Sequence, residues 1–184
     1  MSNINIIDQQ GYRLNIGIIV INHNNNLLWA KRMGQNAWQF PQGGVQQGEK
    51  LHQALYRELK EELGLDPEDV EIEAMTEGFL KYRLPAGLIR YDNHPLCIGQ
   101  KQKWYLLRLK GEDQRIDLGC SPKPEFEKWQ WVPYWYPLKH VISFKKDVYR
   151  KALLYFARNL FLSQEAYTLD PFIAQPTPRV FDGA

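Results

Sequence analysis

The sequence predicts an α/β fold, with a mixed α+β sheet in a layered α/β/α sandwich. Two apolar, β-favouring runs flank a short Asn-rich turn, more such runs follow, and two segments instead have the periodicity of helices. The 184 residues suffice for one domain with a packed core, and 44% hydrophobic residues are typical of a globular protein. We expect one domain at residues 8–162 and an irregular, proline-containing tail at 163–184.

A β-hairpin is predicted near the N-terminus. Its two apolar runs are residues 14–21 and 27–32, and the residues between them read Asn-His-Asn-Asn-Asn, which is typical of a turn. Four later runs also have the composition of strands: 70–74, 78–82, 96–109 and 129–132. Together these runs supply the sheet.

Two helices are predicted to cover the sheet. Residues 49–63 have helical spacing and are followed by Gly64, a favourable C-cap, with Pro67 shortly after. Residues 147–162 place their apolar side chains at the spacing of an amphipathic helix. The two helices and the sheet between them make the layered sandwich.

Composition and charge exclude several classes of protein. The formal net charge of +2 is too small for a dedicated nucleic-acid-binding protein, and no stretch has the about 18 apolar residues that a membrane span needs. The N-terminus lacks the features of a signal peptide. Cys97 and Cys120 cannot form a disulfide framework, so we interpret them as buried thiols in a reducing cytosol. We expect a cytoplasmic monomer with no membrane partner.

Three glutamates of the first predicted helix share one face. Glu58, Glu61 and Glu62 stand at i, i+3 and i+4, and this face overlaps the apolar side of the helix. Like charges at this spacing destabilise a helix, and apolar surroundings increase the effect. Because Mg²⁺ takes oxygen ligands and shares them with phosphates, the cluster indicates a divalent-metal site. The alternative is a solvated face with ion pairs to Arg57 and Lys60.

The residues around these glutamates form a longer motif. Gly43, Glu49 and the segment from Arg57 to Leu65 read Gly-x5-Glu-x7-Arg-Glu-apolar-x-Glu-Glu-x-Gly-apolar, with every defined position filled. This pattern resembles the box of the Nudix hydrolases. The resemblance implies a Nudix sandwich whose loop–helix–loop binds Mg²⁺, or Mn²⁺ in its place, and hydrolyses a nucleoside diphosphate linked to another group.

The positions of the motif have physical roles. Gly43 and Gly44 allow unusual backbone angles and a close approach of the loop to phosphate, and we count Gly43 with the metal-binding residues and Gly44 with the substrate-binding ones. Glu49 is placed to pair with Arg57 or to add a metal ligand.

The reaction also needs a base to accept a proton from the attacking water. Any of the helix glutamates could serve, and Glu125, which precedes the predicted strand 129–132, is a further candidate. The alternative for Glu125 is an ordinary surface acid. The predicted catalytic residues are Arg57, Glu58, Glu61, Glu62 and Glu125.

A wider resemblance points to the substrate. Residues 8–158, among them Gly11-Tyr12-Arg13 and the segments 38–44, 95–104, 129–137 and 143–149, resemble the bacterial RNA pyrophosphohydrolases. That family removes pyrophosphate from triphosphorylated RNA 5′ ends, and also acts on diphosphorylated ends, leaving a monophosphate that exposes the transcript to decay. The resemblance implies single-stranded RNA as the partner. A diadenosine polyphosphate hydrolase is the alternative, and a non-catalytic nucleotide- or RNA-binding module is the second alternative.

The same resemblance assigns substrate contacts. It places Arg13 at the 5′ phosphates, and it places a base between Arg32 and Phe144, an arrangement suited to single-stranded RNA. Lys103 and Lys145 belong to the basic residues that we expect around the substrate.

Overall fold

The computed structural model describes residues 5–161, so the predicted tail 163–184 lies outside the described residues. This part of the chain contains one eight-stranded sheet. Its strands are β1 (Tyr12–Ile21), β2 (Leu27–Arg32), β3 (Trp38–Gln39), β4 (Gln42–Gly44), β5 (Val70–Met75), β6 (Leu80–Arg83), β7 (Gly99–Leu109) and β8 (Phe126–Val132). None of the helices within residues 5–161 is long and apolar enough to cross a membrane.

The sheet is mixed, as predicted. The main strand order is β3-β2-β1-β7-β5, while β4 pairs with β1, β6 with β7 and β8 with β2. β1 and β7 pair in parallel, and the other recorded pairs are antiparallel.

The predicted Asn-rich hairpin joins β1 to β2. The Asn22 side-chain oxygen accepts hydrogen bonds from the backbone N–H groups of Asn24, at 2.9 Å, and Asn26, at 3.1 Å. Asn25 has a φ of 58°, in the left-handed region that Asn tolerates better than other non-glycine residues. The turn therefore forms for the reason that its composition indicates.

Three α-helices belong to the described fold, together with short 3-10 turns: α1 (Leu51–Leu63), α2 (Pro137–His140) and α3 (Lys146–Leu160). α1 ends at the predicted cap, where Gly64 has a φ of 70° and its N–H donates to the Lys60 carbonyl. The helix begins two residues later than predicted, because Glu49 belongs to a turn in which it bonds to Gln46.

The sheet separates two hydrophobic cores. Side chains alternate along a strand, so Ile18 and Val20 of β1 pack on the side of α1, whereas Ile19 and Ile21 pack on the side of α3. The fully buried anchors of the two helices are Leu55, Leu59 and Leu63 in α1 and Val148, Ala152, Leu153 and Phe156 in α3. The predicted α/β/α layering is confirmed.

The cysteine interpretation needs a correction. Cys97 is half-buried and Cys120 is exposed, and neither is in a disulfide. Cys120 lies on the surface near the end of α1, where its thiol donates to the Lys60 carbonyl. The expectation of two buried thiols is therefore wrong.

Candidate active site

A polar cavity of about 550 Å³ lies where α1 approaches the ends of the central strands. Most of the residues singled out in the sequence line it, although they come from distant parts of the chain. Those lining residues are Arg13, Arg32, Gly43, Gly44, Arg57, Glu58, Glu61, Glu125, Phe144 and Lys145. The fold therefore brings together the acidic motif of α1 and the basic residues of β1, β2 and the segment before α3.

The glutamates of α1 differ in burial. Glu58 is 9% and Glu62 3% exposed, whereas the Glu61 side chain is half-exposed. Glu62 accepts a hydrogen bond from the Gln42 N–H at 2.9 Å with one oxygen, and its other oxygen is buried without a partner among the described residues. Burial, and then the charges of Glu125 and Glu58, raise the pKa of Glu62, and burial likewise raises the pKa of Glu58.

Gly43 allows Glu58 to lie against the loop that precedes α1. A Cβ atom at position 43 would overlap the Glu58 carboxyl group. β4, which carries Gly43, pairs with β1, so the loop backbone is held in place by the sheet. Gly43 was predicted to allow a close approach of the loop to phosphate. In the structure, the group that approaches the Gly43 backbone is the Glu58 carboxylate.

Arg57 links the loop to the helix. Its guanidinium donates to both Glu49 carboxylate oxygens, at 2.8 and 2.9 Å, and to the Gly44 carbonyl at 2.8 Å. It also donates to Glu58 at 2.6 Å and contacts Glu61 at 3.4 Å. The hydrogen bond to Glu49, and then the hydrogen bond and charge of Glu58, raise the pKa of Arg57. Glu49 was predicted either to pair with Arg57 or to add a metal ligand, and in the structure it forms the ion pair with Arg57.

The solvated-face alternative describes only part of this helix. Arg57 does pair with glutamates, but Lys60 instead pairs with Asp66 at 2.7 Å. Glu62 has no cation partner in the described residues and is almost fully buried. A solvated acidic surface is therefore not what the helix presents to the cavity.

The acidic side chains of α1 are of the type that binds a divalent cation, but they are not gathered around a single point. Within residues 5–161, no three His, Cys, Asp or Glu side chains stand close enough together to hold a metal ion as they are placed. The Arg57 guanidinium holds Glu58 and Glu61 instead. The unpartnered oxygen of Glu62 is nevertheless a free carboxylate ligand, and the glycine at position 43 leaves room for the Glu58 carboxylate beside the backbone. Both features suit a metal site.

The other side of the cavity is cationic. The Lys145 ammonium is buried and donates to Gln39 Oε1 at 2.8 Å and Gln42 Oε1 at 3.4 Å. Burial, followed by the charge of Arg32, lowers the pKa of Lys145 to about 8. Arg13 and Arg32 each have a buried Nε atom without a partner among the described residues. Arg32 also forms a long ion pair with Glu125, at 4.0 Å. Incompletely paired cations in a shared cavity favour an anionic ligand.

Phe144 lies beside these cations. Its ring is 5.8 Å from that of Tyr82, and both residues line the cavity with Arg32. An aromatic ring and a guanidinium in the same cavity are suitable for stacking on a nucleobase.

Lys103 is not among the residues that line the cavity. Side chains alternate along β7, so Lys103 points away from the face that carries Gln100 and Gln102. Its ammonium donates to the Glu77 carbonyl at 2.8 Å and lies 5.8 Å from the centre of the Phe79 ring. We therefore leave Lys103 out of the proposed site.

The glutamines of the cavity were not predicted as site residues from the sequence. Gln39, Gln42, Gln46 and Gln100 line the cavity, and Gln102 lies behind Gln42 and Gln100. The signal available in the sequence was the alternation Gln-Lys-Gln-Lys at the start of β7, which predicts an amide face and a cationic face.

The chain belongs to the Nudix family, because the NUDIX domain matches residues 11–152. The RNA pyrophosphohydrolase of Acinetobacter baylyi is 60% identical to it over 149 residues, which are 81% of this chain and 90% of that protein. The RNA pyrophosphohydrolase of Hahella chejuensis is 54% identical over 161 residues, covering 88% of this chain and all of that protein (100%).

Solved structures show the same fold at lower sequence identity. The E. coli dihydroneopterin triphosphate pyrophosphohydrolase superposes with a TM-score of 0.63 and 22% identity, covering 78% of this chain and 93% of that one. A C. elegans Ap4A hydrolase superposes with a TM-score of 0.55 and 20% identity, covering 78% and 98%. The predicted Nudix fold is confirmed.

Proposed function

We propose that this protein is a metal-dependent RNA 5′-pyrophosphohydrolase. It removes pyrophosphate from triphosphorylated RNA 5′ ends, or phosphate from diphosphorylated ends, and leaves a monophosphate that promotes mRNA decay. The observation that carries the proposal is one cavity with carboxylates on one side and Arg13, Arg32, Phe144 and Lys145 on the other. Relatives that are 54% to 60% identical and bear the name RNA pyrophosphohydrolase support the choice of substrate.

Glu58 and Glu61, which line the cavity, and Glu62, which has an unpartnered oxygen, would hold Mg²⁺, with Mn²⁺ as a substitute. Gly43 would keep the loop backbone close to Glu58. When bound, the cation supplies neutralisation of phosphate charge and activation of water. Arg57 keeps the loop and the helix in register through Glu49 and the Gly44 carbonyl. With a cation bound, Glu58 and Glu61 would bind it in place of their present contacts with Arg57.

The remaining residues bind and orient the RNA. Arg13 and Lys145 place positive charge at the phosphates, and Arg32 and Phe144 stack on a base, a contact that contributes about 1–3 kcal/mol per base. Glu125 is close enough to raise the pKa of Glu62 and is a candidate base for the attacking water, together with the helix glutamates.

We further propose that the enzyme acts in the cytoplasm, where its RNA substrates would be. We also propose that it acts as a monomer.

The deciding experiment compares two substrates in one Mg²⁺ buffer. We expect the protein to convert 5′-triphosphorylated RNA to the monophosphate with a higher kcat/KM than it shows for diadenosine tetraphosphate. The reverse preference would assign it to the dinucleoside polyphosphate hydrolases instead.

A variant of the acidic helix tests whether the protein is an enzyme or only a binding module. Glu61→Gln should lower kcat by about 10²–10⁴-fold while the protein stays folded, because the residue lines the cavity and is half-exposed. Glu71→Gln, an exposed acid on β5, is the matched control and should leave kcat unchanged. Equal activity of wild type and Glu61→Gln would rule out this site.

A further inference from the structure

A network of glutamine amides lies behind the phosphate side of the cavity. Gln102 is fully buried on β7, and its Nε2 donates to Gln42 Oε1 at 3.1 Å and to Gln100 Oε1 at 3.2 Å. Gln42 and Gln100 line the cavity, and Gln102 does not. Gln102 therefore contacts two cavity side chains from behind. We call Gln42, Gln100 and Gln102 the amide network.

Lys145 fixes the direction of the first amide. An ammonium group can only donate hydrogen bonds, so Gln42 must turn its oxygen toward Lys145, 3.4 Å away. The Gln42 nitrogen then faces Gln100 and donates to its oxygen at 3.4 Å. The charge on Lys145 thus determines which end of each neighbouring amide is the oxygen.

Gln102 allows only this arrangement. Its nitrogen supplies a donor to the oxygens of both Gln42 and Gln100, whereas a reversed Gln102 would place its oxygen against two other oxygens. As a result, the Gln100 nitrogen has no acceptor among the described residues, and it belongs to a side chain that lines the cavity. A reversed Gln100 would instead offer a carbonyl oxygen to a polyanion, which would repel it.

The same bonds leave the Gln102 oxygen buried without a partner in the described part of the chain. An unpaired buried oxygen destabilises a folded protein, and an apolar side chain of the same shape would remove that penalty. Stability alone therefore does not account for an amide at position 102.

We propose that Gln102 is a positioning residue for phosphate binding, which orients the amides of Gln42 and Gln100 so that Gln100 presents N–H donors to the 5′ phosphates. This inference rests on the proposed function, because it takes a 5′-polyphosphate as the ligand of the cavity.

The test is Gln102→Met, which keeps the length of the side chain and removes both donors together with the unpaired oxygen. We expect a folded protein with an unchanged or higher Tm, a KM for 5′-triphosphorylated RNA raised roughly tenfold, and a kcat within about threefold of wild type. An unchanged KM would overturn the inference. If Gln102→Met does not fold, Gln102→Asn keeps the amide but is too short to reach both oxygens, and the same rise in KM is expected.

Two further variants separate positioning from general disturbance of the core. Asn15→Val removes the neighbouring buried amide on β1, which makes no hydrogen bond to the amide network, and should leave KM unchanged. Gln100→Met should raise KM, and adding Gln102→Met to it should raise KM less than about twofold more. An equal rise in KM for Asn15→Val, or fully multiplied effects in the double variant, would contradict the inference.

The wild type is measured first on both triphosphorylated RNA and diadenosine tetraphosphate. Failure to hydrolyse the RNA would count against the proposed function alone. The Gln102 comparison would then be made with the dinucleoside substrate, whose polyphosphate needs the same donors, and an unchanged KM there would still overturn the inference.

Discussion

Of the acids within the described residues, Glu62 is the most deeply buried, at 3% exposure, and one of its oxygens has no partner there. We predict that Glu62→Gln removes activity and stabilises the metal-free protein by about 1–3 kcal/mol, because it replaces a poorly solvated carboxylate with a neutral group of the same shape. Thermal unfolding in a chelator measures the stability. A less stable variant would contradict this account of Glu62.

Metal addition gives the complementary result. Mg²⁺ should raise the Tm of the wild type, because it binds only the folded state. At a hundredfold excess of Mg²⁺ over Kd, the free energy of unfolding should increase by about 2.7 kcal/mol. Mg²⁺ should raise the Tm of Glu62→Gln much less. Equal shifts for both proteins would place the metal elsewhere.

Burial lowers the pKa of Lys145 to about 8, so its ammonium loses its charge as the pH rises through about 8. We predict that kcat/KM for triphosphorylated RNA falls as the pH rises from about 7 to about 9, because the neutral amine attracts phosphate less strongly. Lys145→Met should have a lower kcat/KM at pH 7, and this decline should disappear. An identical decline in the variant would assign the titration to another group.

The lowered pKa of Lys145 also affects how the free energy of unfolding depends on pH. Because the folded-state pKa of Lys145 lies below the ordinary value of 10.5, the unfolded chain binds more protons between about pH 8 and 10.5. The free energy of unfolding should therefore rise through that window in the wild type relative to Lys145→Met.

At the scale of elements, the junction of β4 with α1 is held by close contact of the Gly43 backbone with Glu58. We predict that Gly43→Ala lowers activity by about 10–100-fold, because the added Cβ displaces the Glu58 carboxylate from the loop. Gly78→Ala is the matched control, since a Cβ there meets nothing within 4 Å. A fully active Gly43→Ala enzyme would show that Glu58 acts from another position.

The elements also show where sequence patterns succeed. α1 has leucines at regular spacing and a glycine cap, so both its existence and its end at Leu63 follow from local chemistry. β3 and β4 were not predicted, because strands of two and three residues have no period, and they form only where β1 and β2 offer them hydrogen bonds.

At the scale of the whole molecule, α3 is attached to the strand layer by a buried hydrogen bond. The Tyr149 hydroxyl accepts from the Phe40 N–H at 3.1 Å, and the residues just before α3 are Phe144 and Lys145 of the cavity. Tyr149→Phe should destabilise the protein by about 1–3 kcal/mol, because the Phe40 N–H is left buried without its partner. It should also raise KM for RNA more than it lowers kcat.

Thermal unfolding and steady-state kinetics measure these two effects. Tyr155→Phe, a half-buried tyrosine on the same helix with a ring contact to Phe156, is the control and should change neither quantity appreciably. If both variants behaved alike, the Tyr149 hydroxyl would have no special part in holding α3.

The sequence by itself determined the chemistry of α1, because three glutamates on one turn of a helix and their glycine and arginine partners are local in the chain. The motif around α1 also indicated the family by resemblance. Hydrophobic periodicity predicted the layered fold, because it reports which side of each element is buried.

Only the tertiary structure decided which distant cations meet those glutamates. Lys103 and Lys145 are the same residue type, so the sequence does not distinguish them. The alternation of side chains along β7 turns Lys103 away from the cavity, whereas the turn before α3 brings Lys145 to Gln39 and Gln42. The polarity of the amide network, and the hydrogen bond from Arg57 of α1 to the Gly44 carbonyl of β4, likewise depend on contacts between separate elements. Such contacts are set by packing in three dimensions, which no local pattern in a single sequence encodes.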